Sequence, residues 1–118
     1  MHPVSKSTKK AYRWGNGGIG WPLVETKGLL VVEETLAPGC SEKHHYHDQA
    51  VQCFFMLVGS AVMQFADGQS VEIDTGMALH IPPETSHAIV NKTGEEIRFL
   101  VISAPSSRGD RYEVEHDK

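Results

Sequence analysis

The sequence predicts an all-β domain built as a sandwich or barrel of short strands. Three observations carry this. No stretch of ten residues or more shows convincing helical periodicity. Short apolar or β-branched runs recur along the chain. Turn signals separate them at intervals of about eight to twelve residues.

In chain order, residues 1–20 read as an amino-terminal arm. Lys6, Lys9 and Lys10 mix with Ser5, Ser7 and Thr8, which leaves little to bury. Tyr12 and Trp14 then precede a glycine-rich turn, Gly15 to Gly20. Gly15, Gly17 and Gly20 formally match a dinucleotide-binding pattern. That pattern needs a strand before it and a helix after, whereas Trp21-Pro22 and a β-type run follow here. A single domain is expected over residues 21–105. Its strands are expected at 23–26, 29–36, 43–47, 51–58, 61–66, 69–73, 77–81, 86–90 and 96–103. Pro38-Gly39, Gly59, Asp67-Gly68, Thr75-Gly76, Pro82-Pro83 and Asn91 to Gly94 break these runs. Residues 106–118 are polar and are assigned to a carboxy-terminal tail that wraps the outside.

Composition narrows the function. The 118 residues fit one domain, and 40% hydrophobic content suffices for one core. Eleven basic and fifteen acidic residues give a formal charge of −4, so there is no electrostatic case for nucleic acid or an anionic membrane. The most apolar uncharged stretch, Val51 to Val62, is too short to span a bilayer. Met1 to Lys10 has no apolar signal-peptide core, and a cytoplasmic location is expected. Cys40 and Cys53 are too few for a disulfide framework; they are two free thiols or one bridge. The glycosylation sequon Asn91-Lys92-Thr93 and the adhesion tripeptide Arg108-Gly109-Asp110 are read as chance occurrences.

The chemistry gathers between Gly39 and Gly59. His45 and His47 are two residues apart, so on a strand they project from one face. Paired imidazoles are the start of a metal site. His44 and Tyr46 alternate with them and should face outward. Gln52 shares a strand face with Phe54, Met56 and Val58, and an inward amide among apolar neighbours needs a partner. His87 lies far along the chain, and the fold must bring it in. His80 either lines the same pocket or points away from it. His2 and His116 lie in the tails and carry no chemistry in this reading.

At these spacings the chain resembles the cupin superfamily. Its first motif reads Gly39, His45, His47, Gln52 and Gly59; its second reads Gly76, Pro82, Glu84, His87 and Asn91. Eight of these ten positions match, the departures being Gln52 for Glu and Glu84 for Gly. The resemblance implies a jelly-roll β-barrel holding one divalent transition metal: iron, manganese, nickel, zinc or copper. By position, the implied ligands are His45, His47, Gln52 and His87. A glutamine brings neither the charge nor the base that a glutamate would. A three-imidazole, one-amide site leaves the metal's double charge intact, which suits polarisation of an anionic, chelating substrate. Cys53 is one residue off the position that a thiol-oxidising relative fills with cysteine, and should point the other way.

The expected function is that of an enzyme acting on a small chelating molecule, by dioxygenase-type oxidation or metal-assisted isomerisation. The alternative is a sugar-like ligand-binding or sensing module without turnover. A homodimer is expected, with residues 1–20 meeting the partner through Tyr12, Trp14 and Trp21. From the unperturbed imidazole value of about 6.5, metal is expected to leave below about pH 6.

Overall fold

The computed structural model describes residues 1–114 and is all-β over them. His116 lies outside the described residues. In chain order the strands are β1 (Tyr12–Trp14), β2 (Gly18–Glu25), β3 (Leu30–Leu36), β4 (His45–Tyr46) and β5 (Val51–Val58). Then come β6 (Ala61–Phe65), β7 (Ser70–Ile73), β8 (Ala78–Ile81), β9 (His87–Val90), β10 (Ile97–Ala104) and β11 (Tyr112–Glu113). They form two antiparallel sheets, ordered β1-β2-β3-β10-β5-β8 and β11-β4-β9-β6-β7.

Strand alternation builds the core between the sheets. Leu36, Phe54, Met56, Ile97, Phe99 and Val101 come from the first sheet. Ala61, Met63, Ile73 and Ile89 meet them from the second. Gln52, Phe54 and Met56 are all buried on the inner face of β5, while Val58, expected on that face, is 46% exposed at the strand's end. The register between β5 and β10 shifts beside Val58, at Arg98/Phe99, and this bulge turns the strand end out of the core.

Both ends of the chain take more part in the sheets than the sequence reading assigned them. Tyr12–Trp14 pairs antiparallel with Gly18–Gly20, which places both segments in the first sheet with a turn between them. Trp14 packs edge-on against Phe99, 6.1 Å between ring centroids. Its ring lies across Gly18 and the Tyr12 ring lies across Gly20, where any Cβ would strike the aromatic atoms. The glycine run is therefore the bed on which two aromatic side chains lie. The reason for expecting a dimer, aromatics with nowhere to bury, does not hold for Trp14. Trp21 is also engaged within the chain, with the Lys6 ammonium 5.6 Å over its ring. At the other end, β11 pairs with β4, and Tyr112 stacks on Tyr46 at 5.3 Å.

The motif glycines have a backbone cause. Gly39, Gly59 and Gly76 have φ of +73°, +90° and +84°, a region that side chains disfavour. At Gly59 a Cβ would also come within 2.7 Å of Ile97. Glu84 stands where the motif has glycine and still adopts φ +62°. That conformation costs about 1–2 kcal/mol in a residue with a Cβ. It is held by the Glu84 N–H, which donates to the His47 carbonyl at 2.7 Å. Asn91, the last motif residue, is fully buried. Its Nδ2 donates to the carbonyls of Leu36 and Glu95, and its Oδ1 accepts from Thr93. The amide in the sequon is thus a structural bracket.

Candidate metal centre

The three motif histidines meet on β4, on β9 and in the loop that follows β4. His45 and His87 are direct cross-strand partners on β4 and β9, with ring centroids 4.5 Å apart. His47, two residues on, lies 5.0 Å from His45 and 5.9 Å from His87. One nitrogen from each ring falls within 4.8 Å of the others, and all three residues are buried.

Three backbone carbonyls orient the rings. His45 Nδ1 is 3.0 Å from the Lys43 carbonyl, His47 Nδ1 is 2.8 Å from that of Asp110, and His87 Nδ1 is 2.8 Å from that of Thr85. A carbonyl only accepts, so each Nδ1 must carry the proton and donate it. Each Nε2 is then left with a bare lone pair. This is the arrangement that orients imidazoles as metal ligands.

Gln52 is oriented by the facing strand. Ser103 is its cross-strand partner on β10, and Gln52 Nε2 donates to Ser103 Oγ at 3.0 Å. Gln52 Oε1, His47 Nε2 and His87 Nε2 are all buried and have no hydrogen-bond partner among the described residues. Leaving such acceptors unsatisfied costs roughly 1–3 kcal/mol each. A divalent cation among the three rings would satisfy the histidine nitrogens, and three imidazoles form an ordinary donor set for a transition metal. The residues present therefore fit a metal. His80 is exposed and pairs with Cys53 on the outer face, and His44 and Tyr46 are half-buried between the inward histidines. Cys40 and Cys53 are free.

The electrostatics favour neutral rings. Burial pushes His45 down to about 2, helped by the neighbouring His87 and Arg111. Burial also takes His87 down to about 4, against the pull of its bond to Thr85. His47 is lowered too, by burial, with Asp110 and the Gln52 amide opposing. Glu42 lies beside the cluster, 3.9 Å from His45 Nδ1 and 3.7 Å from Arg111. Burial raises its carboxyl to about 7 despite Arg111.

Asp110 ties the carboxy-terminal segment to the site. Its carboxylate accepts from the backbone N–H groups of Asp48, Gln49 and Ala50, while its own carbonyl holds His47. Slight burial acts to raise this carboxyl, but the three N–H bonds hold it below its ordinary value. The sequence carried no signal for this clamp. We expect Asp110→Ala to lower metal affinity about tenfold, the lower end of the usual effect of a group that orients a ligand. Titration against a chromophoric chelator reads this directly, and an unchanged affinity would remove Asp110 from the account.

Two antiparallel sheets closing around buried, carbonyl-oriented histidines define a jelly roll with a candidate metal site beside a cavity lined from both sheets. The family model for the Cupin domain matches residues 32–103, and the chain belongs to the cupin family. A quercetin 2,3-dioxygenase of Bacillus subtilis (strain 168) is 33% identical over 64 residues; the match spans 53% of this chain but only 19% of that protein. Among solved structures, the polyketide cyclase RemF from Streptomyces resistomycificus superposes with a TM-score of 0.85 at 24% identity, covering 100% of this chain and 88% of that one. A cupin described as a sugar phosphate isomerase, from Silicibacter pomeroyi, gives a TM-score of 0.81 at 18% identity, covering 98% of this chain and 83% of that one. At these identities the structural likeness concerns the fold.

Proposed function

We propose that the protein is a mononuclear metal-dependent enzyme acting on a small chelating molecule, by dioxygen-dependent oxidation or by isomerisation. One observation carries this reading: three Nδ1–H groups donate to backbone carbonyls, so the opposite nitrogens converge as bare lone pairs. His45, His47 and His87 would hold the metal, with the Gln52 oxygen as a fourth ligand. The metal would supply Lewis-acid polarisation and, if redox-active, a route to dioxygen. The side chains do the rest. The imidazoles stay neutral because they are buried, and Ser103 keeps the Gln52 amide from turning.

A cavity of about 430 Å³ opens beside the cluster, with Trp14, Val32 and Phe54 among its apolar lining and Glu34, Glu42 and Arg111 among its polar groups. That volume suits a small organic ligand. Oxidation draws support from the partial likeness to the quercetin dioxygenase. Gln52 argues against a mechanism in which the ligand at that position moves a proton.

Metal analysis of protein loaded in turn with iron, manganese, nickel, zinc and copper tests the site, with one ion per chain expected. Oxygen uptake with β-diketones, flavonols and thiols then tests the chemistry. Substoichiometric binding of every metal would overturn the reading.

A further inference from the structure

Glu34 is out of place for a purely structural residue. On β3 the inward positions are Leu30, Val32, Glu34 and Leu36, so a carboxyl stands in an apolar stripe. It lines the same cavity as His45, His47 and Gln52, from β3, with β10 between it and the strand that carries Gln52. The other carboxyls there are committed. Glu42 accepts from the Ile89 N–H and faces Arg111, and Glu113 pairs with Lys43 and Arg111. Among the described residues Glu34 has no ion pair. Its hydrogen bond is a long one from the Tyr12 hydroxyl to Oε2, at 3.3 Å.

The surroundings are arranged for this contact. Tyr12, Gly20, Glu34 and Phe99 form one cross-strand row over β1, β2, β3 and β10. Gly20 lacks the Cβ that would lift the Tyr12 ring away. The titratable or charged groups that act on Glu34 are Tyr12 on β1, Glu42 before β4 and Arg111 before β11. Its cross-strand neighbours on β2 and β10, Gly20 and Phe99, bear no charge.

We propose that Glu34, held by Tyr12, is the proton donor of this cavity, hydrogen-bonding to a carbonyl or hydroxyl oxygen of the ligand. This deepens the metal-enzyme reading and rests on it for the identity of the cavity as a ligand site. A ligand bound this way carries at least two oxygens: one directed to the imidazole cluster, one to the carboxyl. When the proton transfers, the O–H bond of Glu34 breaks, its electron pair stays on the carboxylate, and the ligand oxygen gains the proton. An amide at position 52 cannot make this exchange. Burial, and next the charge of Glu42, raises Glu34 to about 8, so the acid form prevails at neutral pH.

The test uses 3-hydroxyflavone as a fluorescent probe, without oxygen, with wild type and Glu34→Gln. Affinities are compared at about pH 6.5 and about pH 9.5, on either side of the carboxyl's titration. Taking the ratio of the two proteins cancels the titration of the probe and of the histidines. At the lower pH both side chains are neutral donors, and the ratio should be near one. At the higher pH the wild-type carboxylate has lost its proton and repels the ligand oxygen, so wild type should bind about tenfold more weakly than the glutamine variant. Tyr12→Phe should move this change to higher pH, because the Tyr12 bond favours the ionised form. A ratio independent of pH would overturn the proposal, as would failure of wild type to bind the probe in either metal-loaded or metal-free form. If the ratio changes with pH but added metal has no effect on binding, the metal reading fails and the role of Glu34 stands.

Discussion

Replacing His47 by alanine is expected to lower the affinity for a divalent transition metal by at least about a hundredfold. Groups that merely orient a ligand are worth about 10–100-fold, and a direct ligand should exceed them. Gln52→Ala should cost far less, about tenfold, because three neutral imidazoles remain. Gln52→Glu should bind metal more tightly than wild type, since a buried carboxylate facing a cation restores a charge. The ranking follows from the donors: His47 offers a bare nitrogen fixed by Asp110, and Gln52 a neutral oxygen fixed by Ser103. Competition titrations on variants that keep the wild-type melting profile without metal would establish it. If Gln52→Ala bound metal as tightly as wild type, Gln52 would be a bystander in the core. If His47→Ala did so, the three-histidine site itself would fall.

Much of the fold was legible because alternation and turn chemistry are local. Every expected strand from 29–36 through 96–103 has a counterpart, since β-branched runs and glycine or proline stops act within a few residues. His45 and His47 share a face by alternation alone, while bringing His87 opposite His45 took the motif spacing. The chain ends were harder. β1 is three residues of Tyr, Arg and Trp, and its support is the glycines of β2. β11 is two residues long and depends on pairing with β4. No local pattern encodes either. Asp110 was hidden for the same reason, because its partners at 48–50 are some sixty positions away. Glu34 did leave a trace: it breaks an apolar alternation with a charge, the kind of exception that alternation is able to expose. Glu84 left a trace too, as a departure from the motif, but its positive φ is visible only in the fold.

The stability of the metal-free protein should peak near about pH 6.5 and fall on both sides. The histidines govern the acid side. His45 and His87 sit at about 2 and about 4 in the folded chain, and His47 is lowered as well, against about 6.5 unfolded. Below about pH 6.5 the unfolded chain takes up protons that the folded one refuses, so His45 and, down to about pH 4, His87 each remove about 1.4 kcal/mol per pH unit as pH falls, and His47 acts in the same direction. The buried carboxyls have the opposite sign. Glu42 at about 7 and Glu34 at about 8 are protonated when folded, so the stability they add is present at low pH and is lost as pH rises through those values. Between about pH 4.5 and 6.5 His45 and His87 offset the two carboxyls, and the lowered His47 tips the balance towards a loss of stability on acidification. Above about pH 6.5 only the carboxyl effect remains of these five groups, and stability declines towards about pH 8. The same depressed values change the expectation for metal release. His45 and His87 still present neutral nitrogens well below the pH of about 6 inferred from free imidazole, so metal should be retained at about pH 5 and leave as the protein unfolds in acid. Calorimetric melting of the metal-free protein from about pH 4 to 9, repeated with metal, reads both effects. Stability that rose steadily to the alkaline end would mean that Glu34 and Glu42 are ionised in the fold, and would remove the neutral carboxyl from the cavity.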